Sequence, residues 1–120
     1  MYEVIFYEDA NGIRPVEQFI DDLRSKSGTS KDARVNFNKV VAYIDLLEEY
    51  GSMIGMPVVK HLDGDIWELR PIKNRILYAY YKDKTYILLH HFKKASTKLP
   101  PWELEQAKRN LDDYKEREGK

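Results

Sequence analysis

The amino-acid sequence predicts an α+β fold: an N-terminal strand, a helical hairpin packed on an antiparallel sheet of about four strands, and a C-terminal helix. Three observations support this prediction. The chain starts with a run rich in aromatic and β-branched residues, continues with two segments of helical periodicity, and then alternates with period two before a last helical segment. The predicted order is β-α-α-β-β-β-α in a single domain over residues 1–120.

The N-terminal half contains the first strand and the helical hairpin. Residues 2–7 have the composition of a strand, and Pro15 is suited to the first turn of a helix. The apolar residues that share one stripe of that helix are Val16, Phe19, Ile20 and Leu23. After a connector at 25–30, the second helix has its own apolar side, formed by Phe37, Val40, Val41, Ile44 and Leu47. Two helices joined by a short connector predict an antiparallel pair.

The second half reads as a β-meander followed by a helix. Residues 61–65 carry a turn signal, and a strand over 66–70 ends at a proline. Further strands are predicted over 75–81 and 85–92. Pro100 and Pro101 then open the last helix. We expect the helices to cover one sheet face and to leave the other face, or part of it, open to solvent.

Composition restricts the classes of function. The sequence has no cysteine, which excludes disulfide scaffolds, thiolate zinc sites and cysteine nucleophiles and suits a reducing compartment. No apolar run approaches the ~20 residues that span a bilayer, and the N-terminus does not have the pattern of a signal peptide. We therefore expect a cytoplasmic protein that does not associate with membranes.

Charge is segregated along the chain. The net charge is zero overall, but residues 60–98 carry +5, whereas residues 1–59 carry −4 and residues 99–120 carry −1. A basic central segment in a neutral protein indicates a local anion-binding face. A chance distribution of charge is the alternative.

Two arginines flank one turn of the predicted meander. Arg70 ends one strand and Arg75 begins the next, so the turn between them should hold their guanidinium groups close together. Such a pair is favoured when an anion lies between the two groups, and arginine is well suited to phosphate oxygens. Glu68 and Arg70 share one face of their strand because side chains alternate. A surface ion pair between Glu68 and Arg75 is the alternative.

The third strand of the meander ends in basic residues. Alternation places His91 and Lys93 on one side and Lys94 on the other. Histidine and a lysine near other cations are candidate proton carriers, although a structural role is the alternative for the histidine. Tyrosines beside basic residues, Tyr80 among them, suggest a stacking platform for unpaired bases or simple cross-strand packing.

Several well-known site motifs are absent from the sequence. It contains no Gly-rich phosphate loop, no His-Glu-x-x-His zinc motif, no Gly-x-Ser-x-Gly elbow and no calcium loop. A histidine metal centre would need His61, His90 and His91 to converge. We therefore expect neither a metal nor a cofactor.

Five short segments together resemble the HigB branch of the RelE/ParE toxin superfamily, the phage-type toxins of type II toxin–antitoxin systems. These segments are residues 62–70 (LDGDIWELR), 75–78 (RILY), 88–94 (LLHHFKK), 98–100 (KLP) and 105–107 (EQA). The chain departs from the family pattern at Ala95, Ser96 and Leu99. The resemblance spans essentially the whole chain and implies a RelE-like fold.

The resemblance also implies an activity and partners. It implies a ribosome-dependent, metal-independent endoribonuclease that cleaves translated mRNA by attack of the ribose 2′-hydroxyl on the adjacent phosphate. A cognate, HigA-like antitoxin with a helix-turn-helix domain would neutralise it and would provide the only contact with operator DNA. A non-catalytic, ParE-like inhibitor of DNA gyrase is the alternative.

Residue roles follow from the resemblance and from the spacing. The expected catalytic residues are Arg70, Arg75, Lys94, Glu68 and His91. The expected RNA-binding residues are Lys93, Lys98, Tyr80 and Lys73. The arginines would hold the scissile phosphate, Lys94 would serve the leaving group, and Glu68 would act as a base or orient Arg70.

Overall fold

The computed structural model describes residues 1–118 and confirms the α+β class. Its strands are β1 (Glu3–Phe6), β2 (Val59–Asp63), β3 (Ile66–Leu69), β4 (Asn74–Tyr80) and β5 (Thr85–Lys93). Its helices are α1 (Pro15–Lys26), α2 (Lys31–Tyr50), a short 3-10 helix (Gly51–Ile54) and α3 (Pro101–Glu118). None of these helices is long and apolar enough to cross a membrane.

The sheet has five strands in the order β1-β5-β4-β3-β2 and is mixed, not purely antiparallel. β1 runs parallel to β5, with Glu3 opposite Thr85, while the other pairs are antiparallel. The additional strand is β2, which lies at the edge and pairs with β3. The sequence shows only a turn signal there, because a short, mostly exposed edge strand lacks a clear alternation of apolar residues.

The two sides of the sheet bury separate cores. On the first side, α1 and α2 pack against β3, β4 and β5 through Val16, Ile20, Val40, Leu47, Leu69, Ile76, Tyr78 and Leu88. On the second side, α3 packs through Ala107 and Leu111 on Ile66, Leu77, Ala79, Ile87 and Leu89. The expectation that the helices share one face is therefore wrong. The apolar stripe of α3 covers part of the face that was expected to remain open.

Local sequence explains how the hairpin starts and ends. Pro15 occupies the first turn of α1, and the Ser30 hydroxyl caps α2 by accepting from the Ala33 amide at 3.1 Å. α2 ends at Gly51, whose φ of 67° is accessible to glycine at little cost. An added Cβ at Gly51 would lie 2.8 Å from the Tyr86 hydroxyl, so the position excludes other residues sterically as well.

A β-bulge in β5 decides which side chains face α3. Leu77 of β4 lies opposite His90, whereas the next residue, Tyr78, lies opposite Leu88. Leu89 is therefore an extra residue in β5. Before the bulge, the even-numbered Leu88 faces the α1 and α2 side. After it, the even-numbered Phe92 faces the α3 side.

Candidate anion-binding cleft

A cleft of about 210 Å³ opens on the α3 side of the sheet, beside the end of β3, the start of β4 and the end of β5. Its charged lining residues are Lys60, Glu68, Arg70, Arg75, Lys94 and Lys98. Five of these are basic and one is acidic, so the cleft has a strongly positive potential. Phe92 and the loop at 96–99 complete the wall.

Glu68 lies between the two arginines at the floor of the cleft. Its carboxylate is 3.4 Å from Arg70 Nε through one oxygen and 3.9 Å from Arg75 Nε through the other. The glutamate is only 7% exposed and Arg75 only 6% exposed. The ion-pair alternative is therefore present in the structure, with one buried carboxylate partly neutralising two guanidinium groups. Both arginines still line the cleft, and anion binding there stays a prediction.

The turn before β4 fixes the guanidinium of Arg75. Its Nη1 donates to the backbone carbonyls of Ile72 and Asn74, each at 2.9 Å. Ile72 has a φ of 51°, which is unusual for a β-branched residue and indicates local strain. Burial lowers the pKa of Arg75, while Glu68 acts in the opposite direction and Arg70 adds to the lowering. Arg75 is thus held rigidly before any ligand arrives.

Arg70 retains hydrogen-bonding capacity toward the cleft. Its Nη1 donates to the Met56 sulfur at 3.2 Å, a weak acceptor. Its Nε is buried and makes no hydrogen bond of good geometry within residues 1–118, although Glu68 is near. A buried donor without a partner is costly, so Nε depends on the nearby Glu68 carboxylate. The Arg70 side chain is 23% exposed, so its other guanidinium N–H groups are the ones that an anion in the cleft can reach.

The two lysines of the cleft come from β5 and the loop after it. The Lys94 amide donates to the Lys73 carbonyl at 2.7 Å, which holds the strand end, and its side chain faces the cleft because of the bulge. In the loop, Ser96 accepts from the Lys98 amide at 3.3 Å and donates to the Lys98 carbonyl at 3.1 Å. These bonds hold Lys98 at the rim.

His91 does not lie in the cleft, and its predicted position as a proton carrier there is corrected. Its ring stacks on Phe19 of α1 with centroids 3.4 Å apart, on the opposite side of the sheet. Burial lowers the pKa of His91 to about 4, and His90 contributes to the lowering. The ring is therefore neutral near pH 7 and belongs to the packing between α1 and β5.

Three of the four predicted RNA-binding residues also lie outside the cleft. Lys73 and Lys93 line a separate pocket of about 250 Å³ beside His91. Tyr80 lies at the far end of β4, where its hydroxyl accepts from the Lys84 amide at 2.9 Å. Only Lys98 is at the cleft. Contact of the other three with RNA stays a prediction, and it would require RNA to extend beyond the cleft.

The sequence did not indicate Lys60 or Met56 as members of the site. Lys60 is opposite Glu68 in the β2–β3 pair, which only recognition of β2 could have revealed. Met56 lies in the irregular segment before β2, and no sequence pattern placed it near Arg70. Within residues 1–118, no group of three or more His, Asp or Glu side chains is arranged to hold a metal ion.

Taken together, these features describe a small α+β protein with a cationic cleft that is a candidate anion site. The family model of the Phage derived protein Gp49-like family (DUF891) matches residues 27–112, from the connector before α2 into α3. The chain therefore belongs to this phage-derived family, which is related to RelE/ParE-like toxins. No curated protein matches the sequence.

Proposed function

We propose that this protein is a HigB-like toxin of a type II toxin–antitoxin system and acts as a ribosome-dependent endoribonuclease on translated mRNA. The family relationship is consistent with a toxin in general. The observation that carries the enzymatic proposal is the convergence of Arg70, Arg75 and Lys94 on one cleft. Arg70 and Arg75 flank one turn and share the Glu68 carboxylate, and Lys94 joins them from the end of β5.

The proposed reaction is transesterification at a phosphodiester. The ribose 2′-hydroxyl loses its proton and attacks the adjacent phosphorus, the bond to the 5′-oxygen breaks, and that oxygen leaves with a proton. The products are a cyclic phosphate and a 5′-hydroxyl. Negative charge accumulates on the phosphate oxygens in the transition state, so fixed cations accelerate the step.

The cleft supplies groups for each part of this reaction. Arg75, held by two backbone carbonyls, and the partly exposed guanidinium of Arg70 would contact the phosphate oxygens. Lys94 would stabilise or protonate the leaving oxygen. Glu68 would accept the 2′-hydroxyl proton or keep the arginines oriented. A positioned acid or base of this kind contributes typically ~10²–10⁴-fold in rate.

The proposal includes the partners of such a toxin. A cognate, HigA-like antitoxin with a helix-turn-helix domain would neutralise the protein, and operator DNA would be bound only through that antitoxin. The ribosome and its mRNA would be the targets in the cytoplasm. The excess of positive charge at the cleft supports binding to an RNA target, and such binding should weaken steeply with added salt.

A cleavage experiment tests the proposal. Wild-type protein is induced in cells and added in purified form to ribosomes that are translating a defined mRNA, and new 5′ ends are mapped. We expect cuts within translated codons that disappear in Arg70→Ala/Lys94→Ala. The matched control is Lys26→Ala/Lys31→Ala, which removes the same charge from exposed positions of α1 and α2 on the opposite side of the sheet.

Two results would contradict the proposal. Cleavage by Arg70→Ala/Lys94→Ala at the wild-type rate would show that the cleft is not the active site. Intact mRNA together with impaired DNA supercoiling by purified gyrase would instead identify the protein as a ParE-like inhibitor without nuclease activity.

A further inference from the structure

The orientation of Lys94 depends on one irregular residue in β5. If β5 alternated regularly from Leu88, the even-numbered residues that follow would face α1 and α2, and Lys94 would point away from the arginines. The extra residue Leu89 shifts the alternation by one position. As a result, Phe92 lies opposite Arg75, and Lys94 lines the cleft.

A bulge leaves backbone groups of the strand without their usual partners, and α3 supplies one here. The side-chain amide of Asn110 donates from Nδ2 to the Leu89 carbonyl at 2.8 Å. Asn110 is only 7% exposed and lies beside the core residues Ala107 and Leu111. A buried polar residue on the apolar face of a helix is unfavourable unless it forms specific hydrogen bonds.

The orientation of the Asn110 amide is itself fixed. Its Oδ1 accepts from Gln106 Nε2 at 2.9 Å, and Gln106 Oε1 accepts from Arg109 Nη2 at 3.0 Å. Because Asn110 Oδ1 accepts from Gln106, the NH₂ group of Asn110 points toward the bulge. Gln106 belongs to residues 105–107, one of the five segments that carry the family resemblance, and it does not line the cleft.

We propose that Asn110 is a positioning residue that holds the bulge at Leu89 and thereby keeps Lys94 in the cleft. This inference rests on the proposed function, since it concerns the same site. Leucine at position 110 would fill a similar volume but cannot donate to the carbonyl. Strand β5 would then favour regular pairing, which turns Lys94 toward the α1 side.

The test is a double-mutant cycle on mRNA cleavage with wild type, Asn110→Leu, Lys94→Ala and the double variant. We expect Asn110→Leu to lower kcat ~10- to 100-fold with KM changed by no more than about twofold, because Lys94 acts in the chemical step. In the Lys94→Ala background, Asn110→Leu should cause no further loss. Equal losses in both backgrounds would overturn the proposal.

A matched control is Tyr7→Phe, which removes a hydrogen bond of 2.7 Å from the buried Tyr7 to Asp113, about one helical turn beyond Asn110 in α3. It should weaken the docking of α3 but leave kcat within about twofold of wild type. A loss as large as that of Asn110→Leu would mean that kcat responds to any loosening of α3, and the proposal would fail.

An NMR measurement tests the positioning without relying on nuclease activity. In wild type, the rings of His91 and Phe19 stack and should give strong NOEs. Asn110→Leu should remove these NOEs because His91 turns to the other side of the sheet. Retained NOEs would overturn the role of Asn110 even if cleavage were lost. If wild type does not cleave RNA but the NOEs change as expected, the proposed function fails and the positioning role is supported.

Discussion

Replacing Glu68 with glutamine tests whether the cleft is preorganised for an anion. The carboxylate is 3.4 Å from Arg70 Nε and 3.9 Å from Arg75 Nε. At an effective dielectric constant of about 20, each contact corresponds to roughly 4–5 kcal/mol of attraction before desolvation. Breaking a buried ion pair by removing one partner costs about 3–5 kcal/mol in measured cases. Because Arg70 is partly hydrated, we expect Glu68→Gln to lower the free energy of unfolding by about 3 kcal/mol.

The assay is thermal unfolding with and without inorganic phosphate. A loss of about 3 kcal/mol lowers the Tm of a chain of this size by roughly 10 °C. Phosphate can replace the missing carboxylate between the arginines, so the variant should regain stability on its addition. At about ten times its Kd, phosphate returns roughly 1.4 kcal/mol. Wild type should gain less, because Glu68 competes with phosphate for the same guanidinium groups.

The matched control is Glu103→Gln. Glu103 forms a hydrogen bond with His90 Nε2 at 2.7 Å, and its side chain is 19% exposed against 9% for Glu68, but it does not lie between arginines. It should lose stability without recovery in phosphate. The reasoning is refuted if Glu68→Gln is as stable as wild type, or if phosphate stabilises all three proteins equally.

Three further predictions concern stability. His91→Phe should be less sensitive to acid than wild type by roughly 3 kcal/mol, because the native pKa of about 4 lies below the unfolded value of 6.5 and protonation of His91 destabilises wild type as the pH falls from about 6.5 to 4. Urea unfolding measures this difference, and His61→Phe, at an exposed position, should retain the loss. Ile72→Asn should raise the Tm by roughly 4 °C, since asparagine tolerates the positive φ, and an unchanged Tm would show that this turn is unstrained. Gly51→Ala should lower the free energy of unfolding by at least about 2 kcal/mol more than Gly12→Ala does. Both glycines have a positive φ, but of the two only Gly51 has atoms within 3 Å of an added Cβ. Equal melting temperatures of the two variants would exclude that clash.

Local pattern was sufficient to predict most of the elements. The strand at 2–7, both helices of the hairpin and the strands of the meander were found where alternation and helical stripes indicated them, within a residue or two. β2 was missed because four of its five residues are wholly or partly exposed, so it carries little hydrophobic signal. The parallel pairing of β1 with β5 depends on contacts between distant residues that no local pattern encodes.

The cleft was partly predictable for the same reasons. The short turn between Arg70 and Arg75 brings them together, and period two aligns Glu68 with Arg70. Alternation also separated His91 from Lys94, but the sequence did not reveal which of the two would face the arginines. That choice depends on the bulge and on Asn110, which stands about twenty residues later and makes a contact that only tertiary structure provides.

The position of β1 has a consequence for synthesis of the chain. Glu3–Phe6 is synthesised long before its hydrogen-bonding partner, Thr85–Leu88. Until those residues have been synthesised, the nascent chain exposes the largely apolar β1 without the strand that pairs with it. Contacts of such wide sequence separation also slow folding. Delayed translation between β1 and β5 therefore prolongs the time in which β1 is exposed to aggregation.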